Sequence, residues 1–390
     1  MRTNNYETEI GYLSINHVGE ELCGDNVSVI SPDDSTKVVV LADGLGSGVK
    51  ANILSTLTAE LLSTMIANNI PIEDCVHSVL ETLPVCKVRG VAYSTFTIVK
   101  VKDNAMMDIY NYDNPTPFMI REGKIHQIYY DKLLIEGKTI YHASMPVRLS
   151  DTVVLMSDGV KYAGVGETLN FGWDLPEIQS FMEALYQPSY SAKSMATVLI
   201  DHCNQLYNLR PGDDTTAVIV RIREREQVNL LIGPATNKID DEKMLSLFFS
   251  KAGKHIVSGG TTSSIAAKYL HQELELALDY EDKEIPPTSR IKGVDLVTEG
   301  IITINKVLDY ANNYLTTNSD YFSWSYKQDG ASLIAKMLFE EATDINFFVG
   351  CAMNQAHQGE KINFQLKMQL IDELAKKLKA MGKNIKVSYF

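Results

Sequence analysis

Acidic side chains at the ends of apolar runs are the residues of this chain best suited to chemistry. The run Val38 to Ala42 stops at Asp43, and glycines follow at 44, 46 and 48, so a carboxylate is delivered at a strand end beside backbone that can turn sharply. The segment DTVVLMSDGV, Asp151 to Val160, repeats the pattern and ends in Asp158-Gly159. In GDDTTAVIVRI, Gly212 to Ile222, Asp213 and Asp214 stand just before a β-branched run, and in CGDNVSVI Asp25 heads a short strand. Carboxylates gathered in this way suit hard, oxygen-seeking cations such as Mg2+ or Mn2+, and they repel one another without them.

The elements that must position these acids follow from local periodicity. Tyr6 to Val18 and Asn26 to Ser31 read as the first strands, and helices are expected over Val49 to Asn69 and Ile72 to Leu83, with Pro71 opening the second. Ala92 to Tyr141 reads as a β-meander built from YSTFTIVKV, AMMDIYNY, TPFMI and KIHQIYY. Strand Val153 to Ser157 leads into Asp158, helices follow over Leu175 to Leu185 and Ala192 to Tyr207, and Thr216 to Ile222 forms a last strand. Two groups of strands separated by pairs of helices predict an α/β fold, an α-β-β-α sandwich of two antiparallel sheets flanked by helices.

Taken in order, GDN, ADGLGSGVKAN, SDG and GDDTTAV resemble the metal-dependent PPM-type serine/threonine phosphatases. The likeness is greatest to the bacterial branch typified by the stage II sporulation protein E (SpoIIE) phosphatase domain, and it spans residues 1–225. YNYDNPTPFMIREGKI, Tyr110 to Ile125, also resembles the Gly-x-Pro-Pro hairpin of that family. The resemblance implies two divalent cations, Mn2+ or Mg2+. Asp43 would bridge both, the Gly44 carbonyl would bind one, Asp158 and Asp213 would complete the other's shell, and Asp25 would act on the second directly or through water. It also implies that a metal-bridging water attacks phosphoserine or phosphothreonine without a covalent intermediate. Asp213 is preferred to Asp214 because it aligns with the family's ligand position, which leaves Asp214 to orient the loop or its waters. Ser47 stands where the family often has histidine, so that imidazole acid is missing and Ser47 has at most a supporting part. Glu20 and Glu21 precede Asp25 where eukaryotic members carry a phosphate-gripping arginine.

Composition narrows the class. With 390 residues, 45% hydrophobic and 22% charged, the chain suits two or three globular domains, and a formal net charge of -13 argues against a nucleic-acid partner. Cys23, Cys75, Cys86, Cys203 and Cys351 form no CxxC pair, which favours reduced thiols in a cytoplasmic protein. The N-terminus has no apolar signal-peptide core, and no apolar stretch is long enough to cross a bilayer, so no membrane association is expected. The histidines show no HxH or HExxH spacing, and His17, His126 and His142 read as strand or surface residues.

The charged run RIREREQ, Arg221 to Gln227, reads as a solvated connector ending the first domain, and residues 226–390 read as a smaller α/β domain with a mostly parallel sheet. Its strands are VNLLIG, HIVSGG, VDLVTEG, INFFVG and NIKVSYF, alternating with helices at Asp240 to Ala252, Ser263 to Ala277, Ile304 to Tyr314 and Phe364 to Met381. In HIVSGGTTSSIAAKYL, Gly259, Gly260, Thr261 and Thr262 could hold an anion through backbone N–H groups and hydroxyls, or could serve only as turn and cap, and Glu299 could face the same crevice. GxGxxG and a phosphate-loop lysine are absent. The function expected is a metal-dependent phosphoprotein phosphatase in bacterial signalling, its second domain binding a small ligand or a protein partner. The alternatives are a catalytically weak phosphoprotein-binding adaptor and a metallophosphatase acting on a small metabolite.

Overall fold

A computed structural model describes residues 5–83, 94–276, 285–352 and 358–390, the side chains of 358–363 excepted. The chain divides into two compact units, Met1–Glu224 and Arg225–Phe390.

The first unit runs β1 (Tyr6–Ile15), β2 (Asp25–Ile30), β3 (Lys37–Gly44), α1 (Gly48–Ala67), α2 (Ile72–Thr82), β4 (Ser94–Lys102), β5 (Met106–Tyr112) and β6 (Phe118–Arg121). It continues through β7 (Lys124–His126), β8 (Asp131–Ile135), β9 (Lys138–Pro146), β10 (Thr152–Met156), α3 (Asp158–Lys161), α4 (Leu175–Leu185), α5 (Ala192–Leu206) and β11 (Thr215–Glu224). One sheet has the order β1-β11-β10-β6-β7 and the other β2-β3-β4-β5-β9-β8, and every pairing within them is antiparallel.

Strand β3 shows why the layers stack. Its residues Val38, Val40 and Ala42 join a core with Leu62, Ile66 and Val79 of α1 and α2, while Val39 and Leu41 join Val153, Leu155, Val218 and Val220 of the other sheet. A strand that is apolar on both faces must be covered on both, and the period of two sends alternate residues to the two layers. Helices α4 and α5 cover the outer face of the first sheet through Ile178, Met182, Met195 and Leu199.

The segment expected as one meander is divided between the sheets. Strands β4, β5, β8 and β9 stay together, whereas the β6–β7 hairpin crosses to pair with β10. Its residues explain the crossing: Phe118 and Ile120 pack beneath the helices on one side of that sheet and Met119 fills the core on the other. Ala92, Tyr93 and Cys86 lie outside the described residues. The run from Arg221 is not a solvated connector either. Arg221 is 4% exposed, and its guanidinium donates to the carbonyls of Tyr190 and Pro188, while Arg223 pairs with Glu9 at 3.2 Å.

The second unit runs β12 (Gln227–Ile232), α6 (Lys238–Phe249), β13 (Lys254–Ser258), α7 (Gly260–Leu270), β14 (Glu275–Leu276), β15 (Ser289–Arg290), β16 (Leu296–Thr298) and α8 (Ile301–Leu315). There follow α9 (Tyr321–Trp324), α10 (Gly330–Ala335), a π-helical turn over Lys336–Glu341, β17 (Asp344–Val349), α11 (Gln358–Ala380) and β18 (Asn384–Tyr389). Its sheet order is β14-β15-β16-β13-β12-β17-β18. The strands from β16 to β18 are parallel, and β14 and β15 form an antiparallel edge. Helix α7 starts three residues earlier than its periodicity suggests and stops at Leu270, where His271 takes a left-handed φ of 52°. The short helices from Tyr321 onward are held by rings rather than by a long apolar period: Trp324 stacks among Tyr310, Tyr321 and Phe339.

One buried ion pair fixes the sheet carrying β10. Arg121 grips Asp151 through two bonds of 2.7 and 2.8 Å, and Asp151 is wholly buried. Arg121→Met leaves that buried carboxylate without its countercharge and with only the Arg148 N–H as donor, and a loss of about 3 kcal/mol is expected from the urea unfolding midpoint.

Candidate metal centre

Strand register brings the acids of each sheet to a common end. Asp25 opens β2 and is the direct cross-strand partner of Asp43 on β3. Asp158 follows β10 and opens α3, while Asp213 and Asp214 immediately precede β11, the antiparallel neighbour of β10. Ser157 ties these two ends together: its N–H donates to the Thr216 carbonyl at 3.0 Å, and its hydroxyl accepts the Thr216 N–H at 2.9 Å.

Glycine allows the close approach. A Cβ on Gly44 would lie 2.1 Å from the Ala51 carbonyl oxygen, one on Gly159 2.2 Å from the Asp214 carbonyl oxygen, and one on Gly24 2.6 Å from Asp214 Oδ2. The backbones that carry the acids are therefore packed against one another and against the first turn of α1.

The electrostatics confirm that these acids sense each other. Asp43 is pushed up to about 8, first by burial and then by the charges of Asp158, Asp213 and Asp214. Asp158 is raised by its own burial, with the Gly159 N–H, Asp43 and Lys161 pulling the other way. Asp213 is pushed up to about 6 by burial first and Asp158 next, with His17 opposing. Asp25 is raised well above the ordinary range by burial and then by Asp43. The hydroxyls of Ser157 and Thr216 act against that rise, yet both Asp25 oxygens lack a partner in true hydrogen-bond geometry.

Asp213 and Asp214 are held differently. The half-buried Asp213 accepts the Asp214 N–H at 2.9 Å, whereas the buried Asp214 accepts the His17 N–H at 3.0 Å and turns an unpaired Oδ2 toward Gly24. Ser47 is exposed, and its hydroxyl donates to Glu20 at 3.2 Å. Two neighbours were not singled out from the sequence. His17 lies beside Asp213 and Asp214 rather than on a remote strand, and Lys161 shares with Asp158 the single turn of α3, its ammonium 5.3 Å from the Tyr162 ring. The spacing of three residues between Asp158 and Lys161 on a helix was the available signal for the second.

Gly259, Gly260, Thr261 and Thr262 belong to the second unit, where Gly259 caps α7 with φ at 112°. Ser263 and Ser264 donate back to the Gly259 and Gly260 carbonyls, and the Glu299 carboxylate lies 3.4 Å from where a Cβ of Gly260 would be.

The first unit is thus an α-β-β-α sandwich of two antiparallel sheets flanked by helices, with the acids at the strand ends. Residues 33–223 match the family model described as Stage II sporulation protein E (SpoIIE). Among solved structures, the phosphatase domain and a regulatory-domain fragment of SpoIIE from Bacillus subtilis is 20% identical over 56% of this chain and 64% of that one, with a TM-score of 0.48. This chain thus spans 64% of that relative's length. RsbX in complex with magnesium is 18% identical, covering 55% of this chain and 95% of that one, with a TM-score of 0.41. The S. agalactiae serine/threonine phosphatase is 15% identical, covering 55% and 98%, with a TM-score of 0.40. No curated protein matches the sequence. Among the described residues, no helix is long and apolar enough to cross a membrane.

The donor set suits divalent cations, although among the described residues no three His, Cys, Asp or Glu side chains form a preassembled cage. Burial and the charges of neighbouring acids favour the protonated form of Asp43, and Asp25 keeps both oxygens unbonded. Protonation here relieves the repulsion that a cation would otherwise relieve.

The sign of the pH dependence follows. Without cations, Asp43 keeps in the folded state a proton that the unfolded chain releases, so stability falls as pH rises from about 4 to about 8. Cation binding must displace that proton and therefore strengthens over the same window. Calorimetry is expected to show Mn2+ at a hundredfold excess over its Kd raising Tm by roughly 5–10 °C at pH 8 and by less at pH 6. Asp43→Asn should abolish the cation effect and flatten the cation-free decline.

Proposed function

We propose that the first unit is a protein phosphatase that hydrolyses phosphoserine and phosphothreonine with the help of two divalent cations, Mn2+ or Mg2+. The observation that supports this reading most is the register that sets Asp25 opposite Asp43, with Asp158 and Asp213 raising Asp43 from the β10–β11 end, within a segment that matches the SpoIIE family model. Asp43, the Gly44 carbonyl, Asp158, Asp213 and Asp25 are the groups that would hold the cations. Bound there, the cations would supply Lewis acidity toward phosphoryl oxygens and an activated water.

The chain's own groups divide the other tasks. The Ser94 hydroxyl donates to the Asp43 carbonyl at 2.9 Å and fixes the strand end that carries the Asp43 carboxylate. Asp214, anchored by the His17 N–H, orients the loop that presents Asp213. Lys161, on the same turn as Asp158, supplies positive charge toward an incoming phosphate dianion in a site otherwise lined by acids. Its half-buried stem against Tyr162 limits the ammonium to that side.

The residues 226–390 would regulate the first unit or select its target, and free Cys23, Cys75, Cys203 and Cys351 support a cytoplasmic setting. A phosphoprotein is favoured over a small metabolite as substrate because Leu45, Val49 and Ile53 are 40%, 60% and 52% exposed along the loop and helix that follow Asp43, a surface broader than a metabolite covers.

Hydrolysis of p-nitrophenyl phosphate and of phosphoserine peptides with Mn2+ tests the reading. Asp43→Asn and Asp158→Asn should each lower kcat at least about a hundredfold. Lys161→Met is expected to raise KM for the phosphopeptide more than it lowers kcat. Hydrolysis that favours small phosphorylated metabolites over peptides would redirect the substrate assignment, and no hydrolysis at all would refute the activity.

A further inference from the structure

Among the described residues, the second unit carries a buried lysine with no ion-pair partner. Its parallel strands stand in the order β16-β13-β12-β17-β18, so the chain builds outward from β12 in one direction and then returns to lay β17 and β18 on the other side. In open α/β sheets the place where the direction reverses, here between β12 and β17, is where a crevice opens beyond the carboxyl ends of the strands. Gly233 follows β12 and Gly350 follows β17, and both are needed as glycine. A Cβ on Gly350 would lie 2.1 Å from the Pro234 carbonyl oxygen, and Gly233 has a φ of 82°.

Lys367 of α11 enters this junction. It is 8% exposed, and its Nζ donates to the Gly350 carbonyl at 2.6 Å and lies 5.4 Å from the Phe364 ring. Among the described residues no carboxylate stands within ion-pair range of it, and burial pushes its ammonium down, with the Cys351 thiol alone opposing. One carbonyl and a ring leave most of the charge of a desolvated ammonium uncompensated, and such a group is retained at a cost unless something binds it.

The neighbouring groups add donors. A Cβ on Gly233 would lie 2.7 Å from Lys367 Nζ, and the Gly233 N–H is bound by Thr262 Oγ1 at 2.9 Å, so the first turn of α7 and the lysine meet on either side of Gly233. The far side of that turn is already supplied with negative charge, since Glu299 lies against Gly260.

We propose that the β12–β17 junction is a binding site for an oxyanion group, phosphate or carboxylate, of a small molecule, with Lys367 as its principal contact. Nothing in it uses the acids of the first unit, so it stands or falls independently of phosphatase activity.

Isothermal titration calorimetry of the full-length Asp43→Asn chain in EDTA keeps phosphate from being held through cations at the other site. Inorganic phosphate, AMP and succinate are the probes, the first two reporting phosphate and the third carboxylate. At least one is expected to bind saturably, with Lys367→Met weakening it tenfold or more and Lys367→Arg retaining it. Lys367→Met should also keep or raise the probe-free Tm, because removing an uncompensated buried cation relieves the fold, whereas a merely structural lysine would lower it. Absence of saturable binding by all three probes, equal affinity in Lys367→Met, or a lowered probe-free Tm in that variant would overturn the proposal.

Discussion

Repulsion among carboxylates held in a partly dry pocket is the constraint to which the first unit is built. Asp25, Asp43 and Asp213 are driven toward their neutral forms by burial and then by neighbouring acids, and Asp158 by burial alone. Such an arrangement works against stability unless positive charge enters, and proteins keep it where the charge is used. The surrounding structure resists the obvious escape, which is for the acids to swing apart.

That resistance comes from backbone packing. The register of β2 against β3 fixes Asp25 opposite Asp43, and the Ser157–Thr216 bonds lock the β10 end that leads to Asp158 against the β11 end that follows Asp214. Gly24, Gly44 and Gly159 admit contacts that any Cβ would block. Behind them, β3 is buried on both faces, so a shift of its end would disturb the helical layer and the facing sheet together. The second unit meets a related problem with one buried lysine, again at the carboxyl ends of strands and again beside glycines that let backbones touch.

Much of this was legible in the sequence because it is local. An apolar run ending in Asp-Gly reports both a buried strand and the acid at its end, and β3, β10 and the helices after them lie close to where periodicity puts them. What could not be read was non-local. The β6–β7 hairpin carries the same alternation as its neighbours, and only the burial of Phe118 and Ile120 on one face and Met119 on the other sends it to the opposite sheet. Arg221 looks solvated in a charged run, yet two carbonyls from the turn before α5 draw it inside. His17 and Lys161 show no motif, since their importance lies in what they face. Asp213 and Asp214 differ only in their partners, and adjacent residues give no hint that one is anchored to His17 while the other stays half-buried.

The central claim is that these acids form one cation-binding pocket, and an anomalous-difference map from crystals soaked in Mn2+ tests it most directly. Two peaks are expected between the β2–β3 end and the β10–β11 end, within ligand distance of Asp43, with Asp158 and Asp213 on one of them and Asp25 on or near the other. Manganese found only at other surfaces, with no peak within ligand distance of Asp43 and Asp158, would contradict it.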